Sequence, residues 1–475
     1  MAIRTINLEK VRFERNEIRE AINEAKFKTA EFYFLYFSKD AELPSILQPI
    51  LISPNKTIII DIYIFMKRIS LVIALQISTL FAFAQQGITY MQGKLTHAPA
   101  SNIPKGHKGP IVTGADQTAV YLPFLKGKNV AMVINQSSVI GKKLTPTLDS
   151  LVALGVSIKK IFGPEHGFRG NASDGAKIDD AIDAKTGIPA ISLYGKHNKP
   201  TPEELKGIDV VIFDIQDVGC RYYTYFATLH HVMEACAENN VEVMIMDRPN
   251  PNGYFVDGPV LDTIFKSGVG MHPVPITHGM TVAEYAQMIN GEGWLKNHEK
   301  CKLHIVKMQN YTHDRMYTLP IHPSPNLSTQ QAVMLYPSIC LFEGTTLSLG
   351  RGTPFPFQVI GSPLLKDKYK FSFTPVSIPG VSDNPPQKGN VCYGIDLRHY
   401  NIVKEGKIDL KMVMDMYKVF PDKEHFFTAY FTKLAGTDQL QKQIQAGKSE
   451  EEIRLSWEPA LSQYKLMRKK YLIYN

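Results

Sequence analysis

The chain has 475 residues, five cysteines and a formal net charge of +8, from 53 Lys and Arg against 45 Asp and Glu. This length is too great for one ordinary domain and predicts two or three. The mild positive charge is not gathered into Lys/Arg runs, which argues against a nucleic-acid partner. The cysteines lack CxxC spacing, which argues against a zinc knuckle or a thioredoxin-type site, so we expect mostly buried thiols rather than a disulfide framework.

A secretory signal stands unusually far into the chain. Met66-Lys67-Arg68 precedes a short apolar stretch, and Ala82-Phe83-Ala84 has the small-residue spacing that signal peptidase reads. We therefore expect residues 66–84 to be a cleaved signal peptide.

This reading makes Met66 the true initiator and residues 1–65 a spurious upstream extension. The mature protein would then begin at Gln85, be exported to the periplasm or secreted, and keep no membrane span. A membrane anchor is the alternative, which is disfavoured because the apolar run is short and Gln76 interrupts it.

From Lys128 onward, apolar runs alternate with helical patterns. Strands are predicted at residues 129–135, 158–162, 190–193, 210–215 and 241–247, and helices at residues 147–154 and 223–239. Near-continuous apolar strands separated by helices predict an α/β fold with a Rossmann-like, doubly wound parallel sheet. No Gly-x-Gly-x-x-Gly follows the first strand, so we expect neither a dinucleotide nor another cofactor.

The alternation also suggests domain boundaries. Residues 85–127 form an N-terminal lead-in, and residues 128–293 form the Rossmann-like domain. From about Trp294 the alternation is lost, which predicts a second, smaller, mixed α+β domain at residues 294–475.

Polar side chains follow three of the predicted strands. These residues are Glu165 and His166 after the second strand, Asp214, Gln216 and Asp217 after the fourth, and Asp247, Arg248 and Asn250 after the fifth. The carboxyl ends of parallel strands meet at one edge of a sheet, so these groups are expected to line a single crevice. A structural role stays open for each: Asp247 would cap a turn, and Asp217 would accept backbone hydrogen bonds in a tight loop.

Arginine and tyrosine side chains follow the same strands. Arg169 continues the first loop, and Arg221 and Tyr222 lie in the second. Tyrosine rings stack on sugars and arginine clamps anionic groups, so this mixture favours a carbohydrate site. The alternative is that Tyr222, Tyr223 and Tyr225 begin a helix and only pack its first turn, which is a better interpretation for Tyr225 than for Tyr222.

The second domain contributes its own polar stretch, with Asn326 in Pro323-Ser324-Pro325-Asn326-Leu327 and Glu343 followed by Gly344. Eight residues after Glu343, Arg351 stands between two glycines. Such glycines indicate backbone that approaches a ligand closely, unless the segment is only an irregular loop.

The segments FGPEHGFRG, VVIFDIQDVGCRYYTY, DRPNPNG, HPSPNLST and CLFEGTTLSLGRGT together resemble the exo-acting β-N-acetylmuramidases of bacterial peptidoglycan recycling, a glycoside hydrolase family. The resemblance runs from Asn129 to the C-terminus. It implies a cleft between a Rossmann-like catalytic domain and a smaller C-terminal domain. The implied substrates are peptidoglycan-derived disaccharides and glycan chains, from whose non-reducing end N-acetylmuramic acid is released. The family often has Asn at the position of Thr346 and Met at that of Leu327.

The resemblance makes Glu165 the catalytic carboxylate, as a general acid that protonates the glycosidic oxygen. An acid that stays protonated near neutral pH needs an apolar wall, such as Phe162 or Phe168, or a second carboxylate nearby. Candidates for the base or nucleophile are Asp214, Asp217 and Glu343, and the acetamido group of the substrate is a further possibility.

The other site residues are expected to contact the sugar. His166 would orient Glu165 or bind the substrate, and Arg221 or Arg351 would bind the lactyl carboxylate. The remaining substrate-binding candidates are Arg169, Tyr222, Asp247, Arg248, Asn250, Asn326 and Glu343.

Two other classes of protein stay open. One is a non-catalytic muropeptide-binding protein with the same crevice. The other is a metal-dependent hydrolase or deacetylase using His166, His197 and Asp217, although the chain has no His-Glu-x-x-His spacing. No metal is therefore expected.

Overall fold

Twelve strands are formed in the part of the chain that the computed structural model describes, residues 109–165, 167–168 and 180–474. In chain order they are β1 (Asn129–Ile134), β2 (Val139–Ile140), β3 (Thr145–Pro146), β4 (Ser157–Gly163), β5 (Ala181–Ile182), β6 (Pro189–Ser192), β7 (Val210–Asp214), β8 (Glu242–Met246), β9 (Leu303–Val306), β10 (Val359–Ser362), β11 (Phe371–Phe373) and β12 (Cys392–Asp396). The predicted signal peptide and the upstream extension lie outside the described residues.

The described α-helices are fewer than the strands and become denser toward the C-terminus. They are α1 (Thr118–Leu125), α2 (Thr147–Ala153), α3 (Pro202–Leu205), α4 (Tyr225–Glu238), α5 (Val282–Gly291), α6 (Gln330–Ile339), α7 (Lys411–Val419), α8 (Tyr430–Ala435), α9 (Gln439–Gln445) and α10 (Glu450–Lys469). Three of them, α3, α5 and α10, begin with a capping box in which a Ser or Thr and a Glu three residues later satisfy each other's backbone N–H.

Seven strands form one large sheet in the order β5-β6-β4-β1-β7-β8-β9. All neighbours pair in parallel except β5, which pairs antiparallel with β6 at the edge. Numbered along the chain, the six parallel strands run 3-2-1-4-5-6, which is the doubly wound order of Rossmann folds. The predicted fold class is therefore confirmed.

Side chains of the central strands alternate between two cores. Val133, Phe213 and Ile245 pack on one face of the sheet with residues of α4 and α5. Met132, Ile212 and Met244 pack on the other face with residues of α1 and α2. Burial on both faces explains why these strands are almost continuously apolar and why they could be found from the sequence.

The large sheet extends beyond the boundary expected at residue 293, because β9 pairs with β8 at its far edge. Its sequence, LHIV, is only partly buried and carries a weak periodic signal. Beyond β9, the chain forms a small antiparallel sheet in the order β10-β12-β11, together with α6 to α10. This part is the smaller, mixed α+β region that the sequence predicts.

The C-terminal segment packs back against the large sheet. The Tyr464 hydroxyl donates to the carbonyl of His278 at 2.7 Å, and the Tyr474 hydroxyl donates to Asp247 at 2.7 Å. All five cysteines are buried and unpaired, as their spacing indicates. Within the described ranges, no helix combines the length and apolar character that crossing a membrane requires.

Candidate active site

A cavity of about 650 Å³ opens where the carboxyl ends of the large sheet meet the C-terminal half of the chain. This volume is typical of sites that bind small molecules. The aromatic residues of its wall are Tyr222, Tyr223, Tyr225, Tyr336, Phe357 and Tyr430. Its charged residues, among those described, are Glu165, Glu343, Arg351 and Asp383. The cavity therefore combines aromatic surface with carboxylates and a single guanidinium.

Glu165 reaches the cavity from the turn that follows β4. Gly163 ends the strand, and a Cβ at this position would lie 2.9 Å from the backbone nitrogen of Phe168. Gly167 has a φ of +74°, and its N–H closes the turn on the Pro164 carbonyl at 2.9 Å. The two glycines thus allow the tight turn that presents Glu165.

Two hydroxyl groups hold the Glu165 carboxyl. The Thr224 hydroxyl, at the start of α4, donates to Glu165 Oε2 at 2.9 Å. The Tyr194 hydroxyl, two residues after β6, also interacts with this carboxyl; burial, the charge of Glu165 and the hydrogen bond between them raise the pKa of Tyr194. Sequence reasoning missed both residues, although Tyr194 follows a predicted strand as the other candidates do.

Glu343 and Arg351 form an ion pair in the cavity wall. Arg351 Nε and Nη2 both donate to Glu343 Oε1, at 2.7 and 2.5 Å. Burial raises the pKa of Glu343 to about 7; a hydrogen bond from Cys340 opposes this rise, and the charge of Glu165 adds to it. The sequence analysis raised the possibility of a second carboxylate near Glu165. In the structure, Glu343 is such a carboxylate.

Glycines fix the loop that carries Arg351. Gly350 and Gly352 have φ values of +85° and +75°, a region that other residues rarely adopt. A Cβ at Gly350 would lie 2.6 Å from the Phe355 carbonyl oxygen, and one at Gly352 would collide with the carbonyl oxygen of Val376. These glycines admit other backbone segments of the protein rather than a ligand, which corrects the sequence-based interpretation.

Asp214 and Arg248 lie outside the cavity, in a buried ion pair. Arg248 Nε and Nη2 donate to the two oxygens of Asp214 at 2.6 and 3.0 Å, and the Thr147 hydroxyl donates to Oδ2 at 2.6 Å. Arg248 also donates to the Val139 carbonyl. The pair joins the ends of β7 and β8 to α2, and both side chains are at most 3% exposed.

Asp217, Asp247 and Asn250 are buried in the loops below the cavity. Asp217 Oδ1 accepts a hydrogen bond from the Gly219 N–H at 2.6 Å, and burial raises the pKa of Asp217 to about 8. Asp247 accepts from the Ala283 N–H at 3.1 Å, and burial raises its pKa to about 7. Asn250 donates to the carbonyl of Met280. Asp217 thus has the structural role raised for it from the sequence, whereas Asp247 binds the first turn of α5 and Tyr474 instead of capping its own turn.

Arg221 is also committed to the protein itself. Its Nη1 donates to the carbonyls of Pro259 and Val274, and its Nη2 to those of Leu434 and Ala435, at 2.7–2.8 Å. The side chain is 4% exposed and does not line the cavity, so it is not placed to receive a lactyl carboxylate.

Tyr222 and Asn326 do line the cavity. The Tyr222 hydroxyl donates to the Pro337 carbonyl, and Asn326 Nδ2 donates to the Val381 carbonyl at 3.0 Å. Both side chains are therefore held by backbone carbonyls while they line the cavity.

Two family models together cover most of the described chain. The N-terminal model of the exo-β-N-acetylmuramidase NamZ matches residues 130–331, and its C-terminal model matches residues 334–474. This chain belongs to the NamZ family. The peptidoglycan β-N-acetylmuramidase NamZ of Bacillus subtilis (strain 168) is 38% identical over 420 residues, covering 83% of this chain and 99% of that protein.

Two solved structures of DUF1343 family proteins from Bacteroides fragilis NCTC 9343 resemble this NamZ-family chain. One has a TM-score of 0.72 and 46% sequence identity, and the other a TM-score of 0.67 and 29% identity. Each comparison covers 77% of this chain and 99% of the solved chain. The resemblance inferred from the sequence motifs is thereby confirmed.

The remaining candidates of this NamZ-family site do not line the cavity as far as they are described. His166 and Arg169 lie outside the described residues. Phe162 is buried in the sheet core and Phe168 packs against the opposite core, and neither lines the cavity that Glu165 enters. His197 pairs with Glu204 at 3.1 Å on α3, and the described residues contain no cluster of three or more metal-ligating side chains.

Proposed function

We propose that this protein is an exo-β-N-acetylmuramidase, with Glu165 as its general acid. The reaction would hydrolyse the glycosidic bond of N-acetylmuramic acid at the non-reducing end of peptidoglycan fragments. The observation that carries the proposal is the position of Glu165, in the wall of the 650 Å³ cavity of a chain that belongs to the NamZ family. The identity of 38% to a peptidoglycan β-N-acetylmuramidase supports the substrate class.

The surroundings of Glu165 fix the position of its carboxyl group. A general acid must be held within hydrogen-bonding reach of the leaving oxygen, with its carboxyl group in a fixed orientation. Thr224 binds Glu165 Oε2 directly, and Tyr194 contacts the same carboxyl from the end of β6. These hydroxyls orient Glu165 from two different loops, so the acid does not depend on its own turn alone.

The rest of the cavity suits a sugar ring. Tyr222, Tyr223 and Phe357 offer aromatic faces and edges, while Asn326 and Asp383 offer polar groups at the same wall. Sugars present both an apolar face and hydroxyl groups, which this mixture of side chains can contact together.

The test is hydrolysis of a chromogenic aryl β-glycoside of N-acetylmuramic acid by the wild type and by Glu165→Gln. Loss of a general acid slows turnover by roughly 10²–10⁴-fold, while the isosteric amide leaves the cavity intact. Binding of free N-acetylmuramic acid, measured by calorimetry, should therefore persist in the variant. Glu203→Gln is the matched control, because Glu203 is exposed on α3, away from the cavity.

Near-normal turnover by Glu165→Gln would remove this residue from the acid role. A wild type that binds the sugar but releases no aglycone would instead point to a muropeptide-binding protein.

We propose further that the protein acts outside the cytoplasm, as the signal-like segment at residues 66–84 suggests. Mass spectrometry of the exported protein should find an N-terminus at or near Gln85. Recovery of peptides from residues 1–65 would contradict the assignment of that segment as an untranslated extension.

A further inference from the structure

Glu343 and Arg351 form an ion pair, and both side chains line the cavity. An ion pair with only a structural role would not need to lie there. Resting on the proposed function, we propose that Arg351 binds the lactyl carboxylate that distinguishes N-acetylmuramic acid from N-acetylglucosamine. Glu343 is then the resident counter-ion, which the substrate carboxylate replaces at the guanidinium.

The charges of the cavity leave one place for an anionic substituent. Glu165, Glu343 and Asp383 carry carboxyl groups, and Arg351 is the only positive side chain among the described residues that line the wall. A carboxylate on the sugar would be repelled by ionised carboxyl groups of the wall and attracted by Arg351. A guanidinium also matches a carboxylate better than an ammonium does, since it offers parallel N–H donors.

Arg351 is held in advance of binding. Its guanidinium carbon lies 4.9 Å from the centre of the Phe357 ring, and its side chain is 18% exposed. Backbone carbonyls of Phe355 and Val376 pack closely against Gly350 and Gly352, and the Val376 N–H donates to the Gly352 carbonyl, which restrains the loop on both sides. A cation that is ordered before the substrate arrives loses little entropy on binding, which favours a selective contact.

Glu343 is a counter-ion whose charge is disfavoured by its surroundings. Burial raises its pKa, so its charged form depends on the contact with Arg351 that the substrate carboxylate would take over. The ionisable groups that interact with Glu343 are Arg351, Cys340, Glu165, Tyr222, Tyr336 and Tyr430, and Arg351 is the one cation among them. Lys388 lies outside the lining and donates to the Asp383 carbonyl and to Asn384 Oδ1.

The experiment compares binding of free N-acetylmuramic acid with binding of its neutral lactyl carboxamide, by calorimetry on the full protein. The wild type should prefer the acid by roughly 10- to 100-fold, the range of a hydrogen-bonded charge pair. Arg351→Met should bring this ratio close to one, and Arg351→Lys should give an intermediate value because it keeps the charge without the fork. Arg398→Met is the control, since Arg398 pairs with Asp396 away from the cavity.

Glu343→Gln separates the two roles. If Glu343 is a displaceable counter-ion, this variant should keep the preference for the acid or increase it. An acid preference that survives in both Arg351 variants would overturn the assignment, as would loss of the preference in Glu343→Gln. If Arg351→Met does not fold, as judged by circular dichroism, Arg351→Lys alone decides.

Failure of the proposed function would be visible separately. In that case the wild type would not hydrolyse the aryl N-acetylmuramic acid glycoside at all. A wild type that hydrolyses it, with an acid preference that does not depend on Arg351, would remove only the present inference.

Discussion

The sequence analysis lists Asp214 as a candidate catalytic residue. Replacing Asp214 with Asn tests whether its role is catalytic or structural. In the wild type, Asp214 accepts two hydrogen bonds from Arg248 and one from Thr147, and its side chain is fully buried. The amide keeps the shape of the carboxylate but not its charge. Arg248 would then be a buried cation that has lost the carboxylate it binds directly.

The expected loss in the free energy of unfolding is about 3–5 kcal/mol, the usual cost of removing one partner of a buried ion pair. Most of this cost is the uncompensated charge of Arg248 rather than lost attraction. The double variant Asp214→Leu with Arg248→Met removes both charges and should recover most of the loss. About 1–3 kcal/mol should remain, because the Thr147 hydroxyl and the Val139 carbonyl lose their partners.

Urea unfolding followed by circular dichroism measures these differences, and hydrolysis of the aryl glycoside is measured below the unfolding transition. Since Asp214 does not line the cavity, kcat of the folded Asp214→Asn protein should stay close to that of the wild type. A variant with wild-type stability and a kcat reduced by orders of magnitude would refute this reasoning. Asp214 would then act on the substrate.

Two further predictions concern the loops around the cavity. Because burial raises the pKa of Asp217 from 3.8 to about 8, the folded state keeps a proton that the unfolded state releases. Stability should therefore fall as the pH rises through this window, by up to ~1.4 kcal/mol per pH unit for this group. Asp217→Asn cannot release that proton, so its urea midpoint should fall less between about pH 5 and 8; equal slopes would contradict the assignment. Gly352→Ala should destabilise the protein by about 1–3 kcal/mol, because of its φ of +75° and a collision with Val376. Gly389→Ala is the control, because Gly389 has a similar φ of +79° but no atom close to a new Cβ. Its urea midpoint should shift less than that of Gly352→Ala, and the difference measures the cost of the collision with Val376. Equal shifts would show that the collision costs nothing.

The sheet was predictable because its central strands are buried on both faces. The sequence NVAMVI, at β1, shows this as a continuous apolar run, and β7 and β8 follow the same rule. The edge strand β9 escaped prediction because a half-buried run of four residues resembles many loops. The order of the strands depends on tertiary contacts and cannot be read from single segments. The prediction of a doubly wound sheet only narrows the possible orders.

The site was predictable in its location but not in the direction of its side chains. The strand-exit rule brings Glu165, Asp214 and Asp247 to one edge of the sheet, yet only Glu165 lines the cavity. Asp214 turns away because Arg248, at the end of the adjacent strand, offers it a buried counter-ion. Opposite charges at the ends of neighbouring strands therefore indicate a structural ion pair. This indication can be used only once the order of the strands is known.

A contact outside the cavity connects the C-terminal half of the chain to a loop of the large sheet. Arg221, in the loop after β7, donates to the carbonyls of Leu434 and Ala435 at the end of α8. Tyr430, at the start of the same helix, lines the cavity. These last carbonyls of a helix have no partners within the helix, so a buried guanidinium is well suited to bind them. Arg221 thus fixes the C-terminal wall relative to the sheet, which explains why a residue in the motif next to the cavity is not itself exposed in it.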